Sequence, residues 1–391
     1  MRVLWVTNDL PPRAGGIERF VENLLLRVHP QHTLVVGPPA GLAGPAHDER
    51  QPYQVVRLPG PVVPTPAVRR TVIEVAAGHR PDVIVLGATW PLGELAPALS
   101  AALGVPVVGL SHGLEAGLVQ LGGGHLVARA TRGLAAMTTI SEWTERQLEP
   151  HVRASRVVRV PPGVDTDRFR PDIDGAALRE RWGVAAAAPL VGSVSRLVPR
   201  KGLDVLLAAW PTVLERHPTA RLAIVGDGPM SQRLTTIATR LGLDSAVILP
   251  GTVDHDELPA SYAAFDVFAM PCRTRWSGLD VEGLGMVYLE AQACGVPTVA
   301  GRSGGAPEAV LEEVSGSVVD GRDTAAVAAA LLRWLDAPAA RRDAALAGRR
   351  FVEQRWSWPA IASRFHELLD EVVAGSQRGH APEGDDHRQV G

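Results

Sequence analysis

Short apolar runs return along the whole chain, each followed by a longer stretch of helical period. In the first half the runs cover residues 3–6, 34–36, 54–57, 83–86, 107–110, 137–140 and 156–160. In the second half they cover 190–194, 221–225, 247–249, 267–270, 298–300 and 317–319. This alternation is the signature of βαβ units, so it predicts an α/β fold with parallel sheets covered by helices on both faces. Helices are expected over 17–28, 68–77, 92–102 and 143–148. The rhythm breaks at residues 161–165 (PPGVD), and 170–175 (RPDIDG) reads as a linker. Two α/β domains are therefore expected, at 1–168 and 169–355, with a helix over 356–375 and a polar, disordered tail at 376–391.

Open α/β sheets bind ligands at the carboxyl ends of their strands. Gly and Pro clusters stand at those ends: 11–16 (PPRAGG), 226–229 (GDGP) and 301–305 (GRSGG). Composition narrows the ligand class. A formal charge of −3 supplies no basic field for nucleic acid. Cys272 and Cys294 are the only cysteines, too few for a disulfide framework or a thiolate zinc site, and they suit a reducing cytosol. Asp9 closes the first apolar run well before signal-peptide length, and no stretch approaches the ~18 apolar residues of a spanning helix. The expected location is cytoplasmic, with peripheral membrane contact left open.

Three loops carry the candidate chemistry. In the first, Gly15 and Gly16 precede a helix whose start offers unpaired N–H groups to an anion, although the same glycines also suit a plain tight turn. The second is 195–202 (SRLVPRKG), where Arg196 and Lys201 stand five apart and can converge on a diphosphate, Arg as a planar fork and Lys as a point charge. Loop cations are usually solvated, but of 39 basic residues Lys201 is the one lysine, which singles that position out. The third is 273–297 (RTRWSGLDVEGLGMVYLEAQACGVP). Here Glu282 precedes Gly283, Leu284, Gly285, Met286 and Val287, and Glu290 lies inside the helix that follows. Those carboxylates and helix-start N–H groups suit phosphate and sugar oxygens. His112, in Ser111-His112-Gly113 at a strand end, reads equally as a ligand contact or a structural histidine. Residues 226–231 (GDGPMS) imitate a dinucleotide fingerprint, but Ser231 replaces its third Gly. Asp165-Thr166-Asp167 and Asp254-His255-Asp256 lack a further oxygen cluster, so no metal is assigned.

Taken together, these motifs resemble the retaining GT-B glycosyltransferases of family 4, two Rossmann-like domains facing across a cleft. Residues 8–16 (NDLPPRAGG) and 273–307 are similar to the GDP-mannose-dependent mannosyltransferases that elongate phosphatidylinositol mannosides. The resemblance implies a metal-independent hexosyltransferase without cofactor, with GDP-mannose as donor and a phosphoinositide lipid as acceptor, forming an α-1,6 linkage that converts a monomannoside to a dimannoside. It assigns Gly15, Gly16, Arg196 and Lys201 to the donor diphosphate and Glu282 with the backbone of 283–287 to the sugar. Glu290 falls to the ribose, Val253 in the 251–257 loop to the base side, and His112 to the vicinity of the transferred sugar. Asp9 and Arg13 fall on the acceptor side.

Residues 62–70 and 121–134 mix apolar and basic side chains, Arg69, Arg70, Arg129 and Arg132 among them. They read either as ordinary helices with solvated arginines or as contacts to an anionic membrane at its cytoplasmic face. Alternatives of function are the same fold with another nucleotide sugar and a soluble or glycan acceptor, a sugar-nucleotide epimerase, and a non-catalytic nucleotide-sugar sensor. Oligomeric state is not readable.

Overall fold

The computed structural model describes residues 1–13 and 15–379. Each expected apolar run forms a strand. They are β1 (Val3–Val6), β2 (Thr33–Gly37), β3 (Gln54–Arg57), β4 (Val83–Leu86), β5 (Val107–Gly109), β6 (Ala136–Thr139) and β7 (Val157–Arg159), then β8 (Leu190–Val194), β9 (Arg221–Val225), β10 (Val247–Gly251), β11 (Val267–Met270), β12 (Thr298–Gly301) and β13 (Gly316–Val319). The first sheet has the order β3-β2-β1-β4-β5-β6-β7 and the second β10-β9-β8-β11-β12-β13. All pairings between these strands are parallel.

Burial follows position in the sheet. Central β1 and β4 are buried at every residue, because helices cover both faces of a parallel sheet and leave no solvent-facing register to alternate. The edge strands β3, β7 and β10 are only half-covered, β3 carrying Gln54 and Arg57 and β7 Arg159, whereas the fourth edge strand, β13, is buried throughout. In the second sheet, Trp210, Tyr262, Tyr288 and Trp334 are all buried against the strands or their covering helices.

The chain packs as two compact units. Unit 1 comprises Met1–Thr139, Gln147–Val160 and the C-terminal stretch from Ala362; unit 2 comprises Ile140–Arg146 and Pro161–Ile361. The change of unit thus falls at residue 160 rather than 168, and a short piece at 140–146 packs with the second unit. The C-terminal helix Trp358–Gly379 contributes Phe365 to unit 1, its ring 5.8 Å from that of Trp5 on β1. Ser376 was expected to begin the tail, but the helix continues through it to Gly379; the rest of the expected tail lies outside the described residues.

Other helix bounds also move. Gly16–Leu25 stops short of the expected 28, and the 92–102 stretch divides into a 3₁₀ turn Leu92–Leu95 and a helix Ala96–Leu103. Among the described residues, no helix is long and apolar enough to cross a membrane.

Strand order reverses in each sheet between the first and fourth strands, at β1/β4 and β8/β11. In open α/β sheets that reversal splits the flanking loops apart and creates the ligand crevice. Both cysteines are buried, and burial pushes each thiol up to about 12. Neither Cys272 nor Cys294 should therefore react with iodoacetamide at pH 8 in the folded protein, while both should react after denaturation; intact-mass measurement reads the difference.

Candidate active site

The loops after β8 and β11 meet at the unit 2 switch point. Gly202 caps the helix Leu203–Arg216 with φ 71°, and a Cβ there would lie 1.9 Å from the carbonyl oxygen of Pro271. Only glycine permits that approach, which brings Lys201 against the loop after β11. Lys201 Nζ donates to Glu282 Oε2 at 2.6 Å, and both residues are buried. Arg200, which the sequence reading passed over, lies 3.2 Å from Asp280 and 3.7 Å from Glu282. Arg196 differs from both: its side chain is exposed and has no salt bridge among the described residues. A buried Lys with donors to spare beside an exposed, unpaired Arg is a suitable arrangement for a dianion.

Glu282 is held by backbone. Its N–H donates to Ser303 Oγ at 3.3 Å, and its carbonyl accepts from the Gly305 N–H at 3.0 Å. The glycine cluster after β12 therefore braces the Glu282 loop. The helix Met286–Ala293 then begins at Gly285, whose φ of 86° is left-handed and whose Cβ would lie 2.5 Å from the Tyr288 ring. Tyr288 cannot yield, being buried with its hydroxyl donating to the Met270 carbonyl at 2.5 Å. Gly285→Ala should consequently lower stability by about 1–3 kcal/mol, seen as a lower melting temperature. Leu284 is buried, while Gly283, Met286 and Val287 are half-buried, so backbone at this helix start is within reach of a ligand.

One turn on, Glu290 accepts a hydrogen bond from the Tyr262 hydroxyl at 2.6 Å. Burial, then the Glu290 charge, raises the tyrosine pKa well above its ordinary value, so it stays a donor. Val253 is half-buried on the unit 2 core near the end of β10.

In unit 1, the loop after β1 gathers Asp9, Arg13 and Glu18. Arg13 bridges them, 2.8 Å from Asp9 and hydrogen-bonded to Glu18, which is buried. Burial, then the Glu18 carboxylate, raises the Asp9 pKa, with Arg13 and His112 opposing. Gly15 is extended and gives its room to Glu18, whose Oε2 a Cβ there would meet at 2.0 Å, whereas Gly16 has open space where a Cβ would stand. Ala14, just before them, lies outside the described residues.

His112 Nε2 lies 2.6 Å from the Gly87 carbonyl oxygen, which can only accept, so Nε2 carries the proton. The ring also meets Phe20 edge-on at 5.5 Å between centroids, which fixes its plane. Beneath it, buried Glu115 accepts from the Ser111 hydroxyl at 2.6 Å and from the Trp90 N–H at 3.1 Å, tying the loops after β4 and β5 together.

The mixed apolar and basic segments resolve into two faces. Val62, Val68 and Val72 are buried in unit 1, as are Val127 and Ala130, whereas Arg69, Arg70, Arg129 and Arg132 are exposed. Arg129 pairs with Glu94 at 2.6 Å and Arg70 lies 3.9 Å from Glu74.

Residues 14–168 match the model for Glycosyltransferase Family 4, and residues 176–351 match that for Glycosyl transferases group 1. A relative from Mycolicibacterium smegmatis, a GDP-mannose-dependent α-(1-6)-phosphatidylinositol monomannoside mannosyltransferase, is 43% identical over 94% of this chain and 98% of its own. The chain belongs to the family 4 glycosyltransferases. A second relative of the transferase, from Corynebacterium glutamicum, is a GDP-mannose-dependent monoacylated α-(1-6)-phosphatidylinositol monomannoside mannosyltransferase, 38% identical over 94% of this chain and 97% of the relative. Among solved structures, Anabaena Alr3699/HepE in complex with UDP superposes with a TM-score of 0.76 at 22% identity, covering 95% of this glycosyltransferase and 100% of that chain. At that identity the likeness establishes the GT-B fold, as the resemblance implied.

Several residues of the transferase's site were beyond sequence reading. Arg200 and Asp280 were legible as charges but not as a pair, since they stand 80 apart. Tyr262 and Ser303 act through contacts across 28 and 21 residues. Glu308 accepts from the Glu142 and Trp143 N–H groups at 2.7 and 3.0 Å, all three residues being in unit 2, and so caps the start of the helix Glu142–Leu148.

Proposed function

We propose that this glycosyltransferase moves mannose from GDP-mannose to a phosphatidylinositol monomannoside, with retention, in an α-1,6 linkage. The observation that carries the reading is the 43% identity, over nearly the full length of both chains, to a relative named for that reaction. Unit 2 supplies what the donor needs. Arg196 and Lys201 hold the diphosphate, Glu282 and the backbone of 283–287 hold the mannose, and Glu290, oriented by Tyr262, takes the ribose. Val253 lies on the base side. Asp9 and Arg13 form the acceptor-side group of unit 1, and His112 stands near the transferred sugar.

In the reaction, the bond from the mannose anomeric carbon to the β-phosphate oxygen breaks and a bond to the acceptor hydroxyl oxygen forms on the same face. The acceptor proton passes to the departing phosphate. As the carbon–oxygen bond breaks, its electron pair puts negative charge on that phosphate ahead of the proton, where fixed Arg, Lys and N–H donors stabilise it without reorganising. This arrangement needs no metal, and turnover should persist in EDTA.

The acceptor is a lipid, so we place the enzyme peripherally on the anionic cytoplasmic face of the membrane. Exposed Arg69 and Arg132, together with exposed Leu114 and Leu121, support that surface. Co-sedimentation with vesicles containing phosphatidylinositol should be lost on combining Arg69→Glu, Arg70→Glu and Arg132→Glu; retention by that variant would remove these arginines from the membrane contact.

Donor choice has its own test. Calorimetry should find GDP-mannose bound more tightly than UDP-glucose or ADP-glucose, and equal or reversed affinities would favour another donor. Tyr262→Phe removes the donor that orients Glu290. It should raise the KM for GDP-mannose about 5- to 10-fold with little change in kcat, the effect of roughly one hydrogen bond.

A further inference from the structure

Three side chains of metal-binding type meet at the end of the unit 1 sheet opposite Asp9 and His112. His29 stands in the connection between the helix Gly16–Leu25 and β2, just before the strand begins. His366 and Asp370 stand four apart on the C-terminal helix, one turn along the same face. His366 Nε2 lies 3.2 Å from Asp370 Oδ2, and the His29 and His366 rings are 4.4 Å apart with a tilt of 35°. One ligand atom from each of the three falls within 4.8 Å of the others.

Two further observations single out His29. Its Nε2 is buried without a hydrogen-bond partner. Its backbone is left-handed, with φ 49° and ψ 46°, a conformation a residue with a Cβ rarely adopts and one that at functional sites is held by surrounding structure. An ordinary His–Asp ion pair on the helix would account for His366 and Asp370, and the turn in which the His29 carbonyl accepts from the His32 N–H accounts for its backbone, but the buried, unpartnered Nε2 would be left unexplained.

We propose that His29, His366 and Asp370 form a site for a divalent transition-metal ion of the zinc type, which clamps the C-terminal helix onto the strand-entry end of the unit 1 sheet. Two imidazoles and a carboxylate are a zinc donor set, whereas calcium and magnesium select oxygen ligands. Tetrahedral zinc with bonds of about 2.0–2.2 Å separates its ligand atoms by roughly 3.3–3.6 Å. The His366–Asp370 spacing of 3.2 Å falls just short of that range, and side-chain rotation closes the remainder. The His366 and Asp370 side chains are 42% and 57% exposed, which leaves freedom for that rotation and room for water as a fourth ligand. The clamp sits at the opposite strand ends from the acceptor-side group of the same unit, so it is a structural metal and is compatible with transfer chemistry that uses none.

The test uses full-length, tag-free protein stripped of metal by chelator and exchanged into chelator-free buffer. Zinc chloride titrated by calorimetry should show one equivalent bound. At a zinc concentration about 100-fold above Kd, the melting transition should rise by about 5 °C or more. Magnesium chloride should do neither. His29→Ala, His366→Ala and Asp370→Ala should each weaken zinc at least about tenfold, the lower bound for losing even an outer partner of a metal ligand. Asp370→His restores a ligand at the same helical position and should keep tight binding. Metal-free melting and circular dichroism identify any variant that fails to fold, and the exposed Asp370 pair of variants keeps the comparison open if His29→Ala is one of them. Zinc affinity unchanged in His366→Ala and Asp370→Ala, or no zinc binding by the wild type, would overturn the proposal.

Discussion

Arg196→Ala should lower turnover by about 10²- to 10³-fold, the usual loss on removing one fixed donor from a developing oxyanion, while melting close to wild type. The second half of that expectation comes from the structure. Arg196 is exposed and has no ionic partner among the described residues, so nothing in the fold depends on it. Lys201→Ala should lose a comparable amount of activity but also stability. It leaves Glu282 buried without the ammonium group 2.6 Å away, and breaking a buried pair costs about 3–5 kcal/mol. Kinetics with thermal denaturation on both variants separates the roles. Near-normal rates in both would eliminate the phosphate clamp.

Glu282→Gln should abolish the preference for GDP-mannose over GDP while leaving GDP affinity within about threefold, since the substitution removes charge at the sugar but leaves Arg196 and Lys201 for the diphosphate. Turnover should fall by more than about 10²-fold, because the mannose is no longer held for attack. The pattern is opposite to that of Arg196→Ala, which should weaken both ligands. Competitive calorimetry with GDP and GDP-mannose reads the contrast directly. If Glu282→Gln weakens the two ligands equally, Glu282 acts only by positioning Lys201.

These expectations draw on information of two kinds. Strands buried on both faces must be apolar throughout, so β1, β4, β8 and β11 stand out as runs in the sequence, and their order explains why the loops holding Lys201 and Glu282 converge. Gly202 and Gly285 were legible as glycines of those loops, but the close approach of the first to Pro271 and the left-handed turn of the second were not. Contacts across long separations were not. Glu308 capping a helix 166 residues away, Tyr262 orienting Glu290 and Glu115 tying two loops each depend on tertiary placement, and a lone carboxylate or phenol carries no local pattern to announce it. Residues 121–134 read as one mixed apolar and basic stretch; the helix within it is Gly124–Thr131, and the helix Leu114–Gln120 before it was not expected.

Donor and acceptor together define the proposed reaction. The decisive measurement incubates purified protein with GDP-mannose in EDTA, with and without phosphatidylinositol monomannoside, and follows GDP release alongside the mass of the lipid. GDP release that depends on the lipid, matched by a lipid one mannose heavier with an α-1,6 linkage, is the predicted result. GDP-mannose bound without any change in the lipid would contradict the acceptor, and UDP-sugar turnover in its place would contradict the donor.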